Sequence, residues 1–159
     1  MSLFNRREFI FLSFTLVGCS FTPAFNLNTG PKALKGKIKF STPANREDYM
    51  LVSRLEENFG PIEKHLFNLS VSYTITEKGL GSLGNISRYN LLGKAFFSLS
   101  EISTGNVILK NQVNTFTSYS ASAQTLATET ADRSARDRLM KALADQITTT
   151  INMNYPADL

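Results

Sequence analysis

An α+β fold is predicted: a two-layer sandwich in the order β-α-β-β-β-α, with two helices on one face of a four-stranded sheet. Three observations predict it. Apolar and polar residues alternate over residues 66–77, and from about Ile86 to Ser98 the odd positions make an apolar face. A helical stripe begins near Ser122 and runs to Ile151. A shorter helical stripe lies between Asn45 and Phe59. Period-2 and period-3.6 patterns identify half-buried strands and amphipathic helices respectively.

Lys37-Ile38-Lys39-Phe40-Ser41 alternates as a short first strand. Asn45 can cap a helix, with Glu47 and Asp48 in the first turn where carboxylates favour the helix dipole. Tyr49, Val52, Leu55 and Phe59 make its expected buried stripe, with Arg54, Glu56 and Glu57 wet. Gly60-Pro61 stops it, because glycine takes the left-handed position and proline cannot continue.

In the second strand Phe67, Leu69, Val71, Tyr73 and Ile75 point one way, and Asn68, Ser70, Ser72, Thr74 and Thr76 the other. The third puts Tyr89, Leu91, Ala95, Phe97 and Leu99 on an apolar face with Gly93 as a gap; Arg88, Asn90, Lys94 and Ser98 lie opposite. Ser103-Thr104-Gly105-Asn106 is a turn, and Val107 to Tyr119 a fourth strand, with a bulge expected partway. Short hairpin links make strands two to four antiparallel neighbours. The final stripe is Ala131, Ala135, Leu139, Ala142, Leu143, Ile147 and Ile151, with Arg133, Arg136, Asp137, Lys141 and Asp145 mostly outside it. Asn154-Tyr155-Pro156 ends it.

Ahead of this domain lies a different kind of sequence. Arg6-Arg7, the apolar run Phe9 to Thr15, then Leu16-Val17-Gly18-Cys19 have the order of a secretory signal. Cys19 is the only cysteine, and the pattern looks like a bacterial lipobox, in which a diacylglyceryl thioether forms on the cysteine, the peptide is cut before it and the new amine is acylated. The alternative is a buried free cysteine after an ordinary signal peptide. The apolar run is too short to span a bilayer, which takes about 20 residues. Two or more acyl chains anchor stably. Ser20 rather than an aspartate comes next, which favours transport to the outer membrane. The Arg pair also resembles a twin-arginine export signal. The expected division is residues 1–18 as signal peptide, 19–34 as lipidated tether and 35–159 as folded domain.

No cysteine then remains for a disulfide, so the fold must stand on its core. Of 17 basic and 13 acidic residues the leader holds Arg6, Arg7 and Glu8, so the remainder carries 15 and 12. That is too mild a charge for a nucleic-acid binder. Gly79-Leu80-Gly81-Ser82-Leu83-Gly84 matches G-x-G-x-x-G but precedes a strand, where a dinucleotide site needs a helix N-terminus. It is expected to be a flexible hairpin loop. His65 is the only histidine, so no His/Cys metal cluster and no Cys–His pair is available. No cofactor and no catalytic set is expected. Arg88 and Lys94 fall on the sheet face away from the helices, about 20 Å apart along one strand. They are read as anion-binding candidates, joined by Lys110 if its register brings it alongside. Charges on a wet sheet face also serve solubility alone, and both readings stay open.

The lipobox cysteine is followed by Ser20-Phe21-Thr22-Pro23, and three later stretches stand out: Ile86 to Leu91, Asn114 to Ser120, and Ala131 to Leu139 leading into Leu143 to Ile147. In these residues the chain resembles the LptE family of lipopolysaccharide-assembly lipoproteins, in its divergent branch with an Arg-Arg signal. The resemblance implies a non-enzymatic protein on the periplasmic side of the outer membrane. Such a protein would sit as a plug inside an LptD-type β-barrel, help it assemble and bind lipopolysaccharide. Arg88, Lys94 and Lys110 would then face lipopolysaccharide. Another envelope lipoprotein adaptor, or a periplasmic ligand carrier or hydrolase, are the alternative readings.

Overall fold

The computed structural model describes residues 34–82, 85–122 and 124–155. The expected signal peptide, Cys19, nearly all of the tether and Pro156 lie outside these residues. The elements are β1 (Ile38–Phe40), α1 (Arg46–Phe59), β2 (Phe67–Ser82), β3 (Asn85–Glu101), β4 (Val107–Ser120) and α2 (Thr125–Asn154). This is the predicted order. The sheet runs β1-β2-β3-β4; β1 is parallel to β2, and the other pairs are antiparallel. Both helices lie on one face.

α1 starts as expected. Asn45 Oδ1 accepts the Asp48 N–H at 2.8 Å, and the Asp48 carboxylate accepts from Ala44 N–H and from the Tyr73 hydroxyl at 2.6 Å. That cap therefore also ties the helix to β2. The Tyr73 bond, then the backbone donors, hold Asp48 below the ordinary carboxylate pKa. Gly60 ends the helix with φ 78°, and its N–H returns to Glu56 O. The buried residues are Leu51, Leu55 and Phe59, not the full predicted stripe: Tyr49 is 59% exposed.

β2 is longer than predicted. The glycines of residues 79–81 belong to the strand, paired to β3 as far as Ser82, with a register shift between Leu80 and Gly81. The expected hairpin loop of residues 79–84 is thus a strand end as far as Ser82, its residues 83 and 84 lying outside the described residues, and the next element is β3 rather than a helix. In β3 the odd-numbered residues Leu91, Ala95, Phe97 and Leu99 are buried, as expected. The bulge of β4 lies at its start: Leu99 pairs with Leu109 but Ser100 with Val107, leaving Ile108 extra.

α2 buries Ala135, Leu139, Met140, Leu143, Ala144, Ile147 and Ile151. Gly93 lets it approach the sheet centre: a Cβ there would meet Leu143 Cδ1 at 3.0 Å and Leu139 Cγ at 3.1 Å. The core is these residues with Leu34, Ile38, Leu51, Leu55, Phe59 and Leu69. Each large apolar side chain so buried contributes about 1.5–3 kcal/mol. α1 and α2 run parallel, joined by Arg46–Asp137 at 2.7 Å and Arg54–Asp145 at 2.8 Å. Burial alone would raise the Asp145 pKa, but bonds from Arg54 and Asn58 hold it low. Arg136, expected on the wet side, is instead half-buried between Asp132 and Glu77.

Candidate functional site: the open sheet face

Neither helix covers the second face of the sheet. Strand alternation puts the even-numbered residues of β2, β3 and β4 on it, and the register lines them up in rows. Thr76, Leu92 and Phe116 form one row, and Thr74, Lys94 and Asn114 the next. Beyond them come Ser72, Phe96 and Gln112, then Ser70, Ser98 and Lys110. At the other end lie Lys78, Asn90 and Ser118, then Leu80, Arg88 and Ser120.

Four large apolar side chains stand out on this hydroxyl-rich surface: Leu80 is 47%, Leu92 40%, Phe96 45% and Phe116 72% exposed. Phe116 sits directly opposite Leu92, so the two form one patch. A shallow depression of about 510 Å³ runs between Thr74, Thr76, Leu92, Lys94, Asn114 and Phe116. The Lys94 ammonium lies 4.7 Å over the Phe96 ring, close enough for a cation–π contact.

The charges divide by face. On the helix side Arg46, Arg54, Arg133 and Arg136 all have carboxylate partners. The open face presents Lys78, Arg88, Lys94 and Lys110, and no acidic side chain among the described residues. None of these four cations forms an ion pair among the described residues. Their field is therefore not cancelled locally, and it is available to an anion.

All three sequence-predicted cations occur on this face, but they do not converge. Lys110 pairs with Ser98, which lies four residues along β3 from Lys94 and ten from Arg88, or about 13 and 33 Å. The close pair is one that sequence reasoning misses. Lys78 lies opposite Asn90, diagonal to Arg88, a separation of roughly 7–8 Å. The signal is the even parity of residue 78, hidden because the side-chain alternation of β2 ends at residue 77.

On the helix side the Glu77 and Tyr119 pair is committed to other contacts. Glu77 accepts from Tyr119 at 3.0 Å and pairs with Arg136, and Tyr119 stacks on Tyr89 at 5.1 Å. Burial and then Glu77 push the Tyr119 hydroxyl pKa upward. His65 is exposed in the link before β2. Among the described residues no group of three His, Cys, Asp or Glu side chains could hold a metal.

Solved structures share this architecture. The chain superposes on a lipoprotein of Caulobacter crescentus with a TM-score of 0.60 and 17% identity, over 74% of this chain and 89% of that one. The rare lipoprotein B of Shewanella oneidensis gives 0.55 and 16%, over 72% and 91%. A minor lipoprotein of Acinetobacter baumannii gives 0.54 and 23%, over 74% and 90%. At these identities the likeness is one of fold. No family model and no curated protein sequence matches the chain.

Proposed function

We propose that this protein is an LptE-type lipoprotein. It is anchored through Cys19 to the periplasmic side of the outer membrane, sits in the lumen of an LptD-type β-barrel and binds lipopolysaccharide. One observation carries the reading: an uncovered sheet face combines four unpaired cations, no described carboxylate and an exposed apolar patch. Lipopolysaccharide is a polyanion with acyl chains, so it offers a partner for both. Arginine and lysine supply charge-assisted bonds to phosphate, with arginine adding directional bidentate geometry. The hydroxyls and amides around them suit a water-filled lumen. The fold's likeness to lipoproteins and the lipobox order of residues 6–19 support the same reading. The chemistry so proposed is binding and assembly.

The test is affinity purification of the mature lipoprotein from outer membranes, with the co-purifying barrel identified by mass spectrometry. An LptD-type barrel in stoichiometric amount is expected. A different barrel would reassign the protein to another assembly complex. Recovery without any barrel would overturn the plug reading.

A further inference from the structure

The two ends of the sheet differ in how the chain reaches them. Gly36 N–H donates to Phe59 O at 2.8 Å, and the Leu66 and Phe67 N–H groups both donate to Lys37 O at 3.1 Å. Leu34 is fully buried there, just ahead of β1. The start of β1, the end of α1 and the start of β2 thus share one end of the molecule, the foot. β3 ends and β4 begins at the same level, since Phe67 pairs with Glu101 and Ser100 with Val107. α2 finishes there too, with the Tyr155 ring edge-on to Phe67 at 6.2 Å.

Apolar side chains from both layers are left uncovered at the foot: Leu66, Ile102, Val107 and Met153 are all exposed. Ile102 N–H donates to Leu66 O at 2.9 Å, so these two adjoin across the strand ends. Glu101 N–H donates to Asn106 O at 2.9 Å, which brings Val107 back beside them. Met153 lies in the last turn of α2, two residues before Tyr155. Lysines surround this end. Lys35 and Lys37 flank Gly36, Lys64 N–H donates to Gly36 O at 2.9 Å, and Lys39 stands opposite Asn68. Glu56, Glu63 and Glu101 lie among them, and none of the four lysines forms an ion pair among the described residues. Lysine stems cover apolar surface while the ammonium stays wet. Apolar tips framed by lysines have the composition of a surface that enters a lipid interface shallowly.

We propose that the foot rests on a phospholipid leaflet, with Leu66, Ile102, Val107 and Met153 entering it and the lysines meeting its phosphates. The inference rests on the lipid anchor at Cys19 proposed above. The far end of the sheet also exposes Leu80 and Ile86, and the route of the chain decides between the two ends. The chain joins the fold at Leu34, which belongs to the foot. About 15 residues separate Cys19 from Leu34, a reach of at most ~50 Å. Leu80 lies about 45 Å farther up β2 than Leu66. An anchor at Cys19 therefore holds the leaflet nearest the foot. A short tether also keeps the local concentration near millimolar, so a few side chains suffice for docking. Standing on its foot, the domain carries its strands along the membrane normal. The open face then rises from the leaflet, with Lys110 near it and Lys78 and Arg88 farthest away.

The experiment is quenching of a bimane label by lipid, on the lipidated chain in vesicles of equimolar phosphatidylethanolamine and phosphatidylglycerol. Val107→Cys, Met153→Cys and, at the far end, Leu80→Cys each carry one label. The quencher is a phospholipid with a nitroxide on its acyl chain close to the headgroup. The unsubstituted chain should take no label, because its only cysteine carries the lipid. Labels at Val107 and Met153 are expected to be quenched about twofold or more, as contact at a depth of ~5–10 Å requires, and the label at Leu80 hardly at all. Leu66→Asp with Ile102→Asp should bring the quenching at Val107 down toward that at Leu80, with circular dichroism unchanged. Labelling of the unsubstituted chain would reveal a free thiol at Cys19 and overturn the anchor along with this inference. A lipidated chain whose Val107 and Met153 labels are quenched no more than that at Leu80 would overturn this inference alone. A foot covered by another part of the chain, by a second copy or by a barrel gives that second result.

Discussion

Gly93→Ala tests how α2 meets the sheet. The position does not have positive φ, so alanine is allowed by the backbone. On chain entropy alone the substitution would stabilise by about 0.4–1 kcal/mol. The packing argues the other way. A new Cβ would lie 3.0 Å from Leu143 Cδ1 and 3.1 and 3.2 Å from Leu139 Cγ and Cδ1. Carbon atoms ordinarily meet at about 3.5–4.0 Å. Leu143 Cδ1 is a side-chain tip and can yield, but Leu139 Cγ is close to its own backbone and fully buried. Overpacking of this kind costs about 1–3 kcal/mol. The expected net loss is therefore about 1–2 kcal/mol in urea unfolding. Leu139→Ala alone should cost about 2–5 kcal/mol. In the double mutant the new methyl occupies part of the vacated space, so the combined loss should fall short of the sum by at least about 0.5 kcal/mol. A stabilised Gly93→Ala protein, or strict additivity, would refute the close approach of α2 at this point.

Leu143→Ala removes a fully buried side chain and should cost about 2–5 kcal/mol; a loss under about 0.5 would contradict the helical register. Asp48 and Asp145 have lowered pKa values, so their contribution is full above the unfolded carboxylate value near 4 and is lost as pH falls through the folded values. Urea midpoints should thus be flat from about pH 5 to 7 and fall below about 4. Asp48→Asn should flatten part of that acid slope, and an unchanged slope would remove Asp48 from the account. Arg88→Glu with Lys94→Glu should weaken lipopolysaccharide binding and leave circular dichroism unchanged. Wild-type binding should weaken with salt, because exposed charges are screened over ~8 Å at physiological ionic strength. Unchanged affinity in the folded double mutant would make these charges mere solvating residues or contacts to the barrel wall.

The sheet is legible where side chains alternate, and the reading stops where they do not. Residues 66–77 and 86–98 declare both faces. At Gly79 and Gly81 there is no side chain to alternate, so the pattern ends β2 too early and leaves Lys78 out of the candidate site. In the structure β3 supplies ladder partners whatever the side chain, and the strand continues. The misreading in α1 has a geometric cause. Steps of three residues drift by about −60° at 100° per residue, so Tyr49 and Leu55 are about 120° apart. Leu51, Leu55 and Phe59, spaced by four, stay within about 80° and form the true buried stripe. The positions of Arg88, Lys94 and Lys110 on one face depend on parity alone. Their spread along it does not, because the β3–β4 register is set by a bulge at Ile108, whereas the side-chain pattern places one only partway along β4.

The parallel pairing of α1 with α2 bears on how the chain folds. The partners in Arg46–Asp137 and in Arg54–Asp145 are 91 residues apart. The strands β2 to β4 meet through near neighbours, and α2 comes directly after them. α1 is made early, yet its packing surface and ion-pair partners emerge last. Closing such a long loop carries an entropic cost that local hairpins escape. The meander with α2 can therefore assemble as one cooperative unit, with β1 and α1 docking afterwards. Until the C-terminal helix is complete, Leu51, Leu55 and Phe59 remain open to any apolar surface they meet. The proposed export across a membrane before folding would gain from this order, because the first helix cannot lock in place while the rest is still threading.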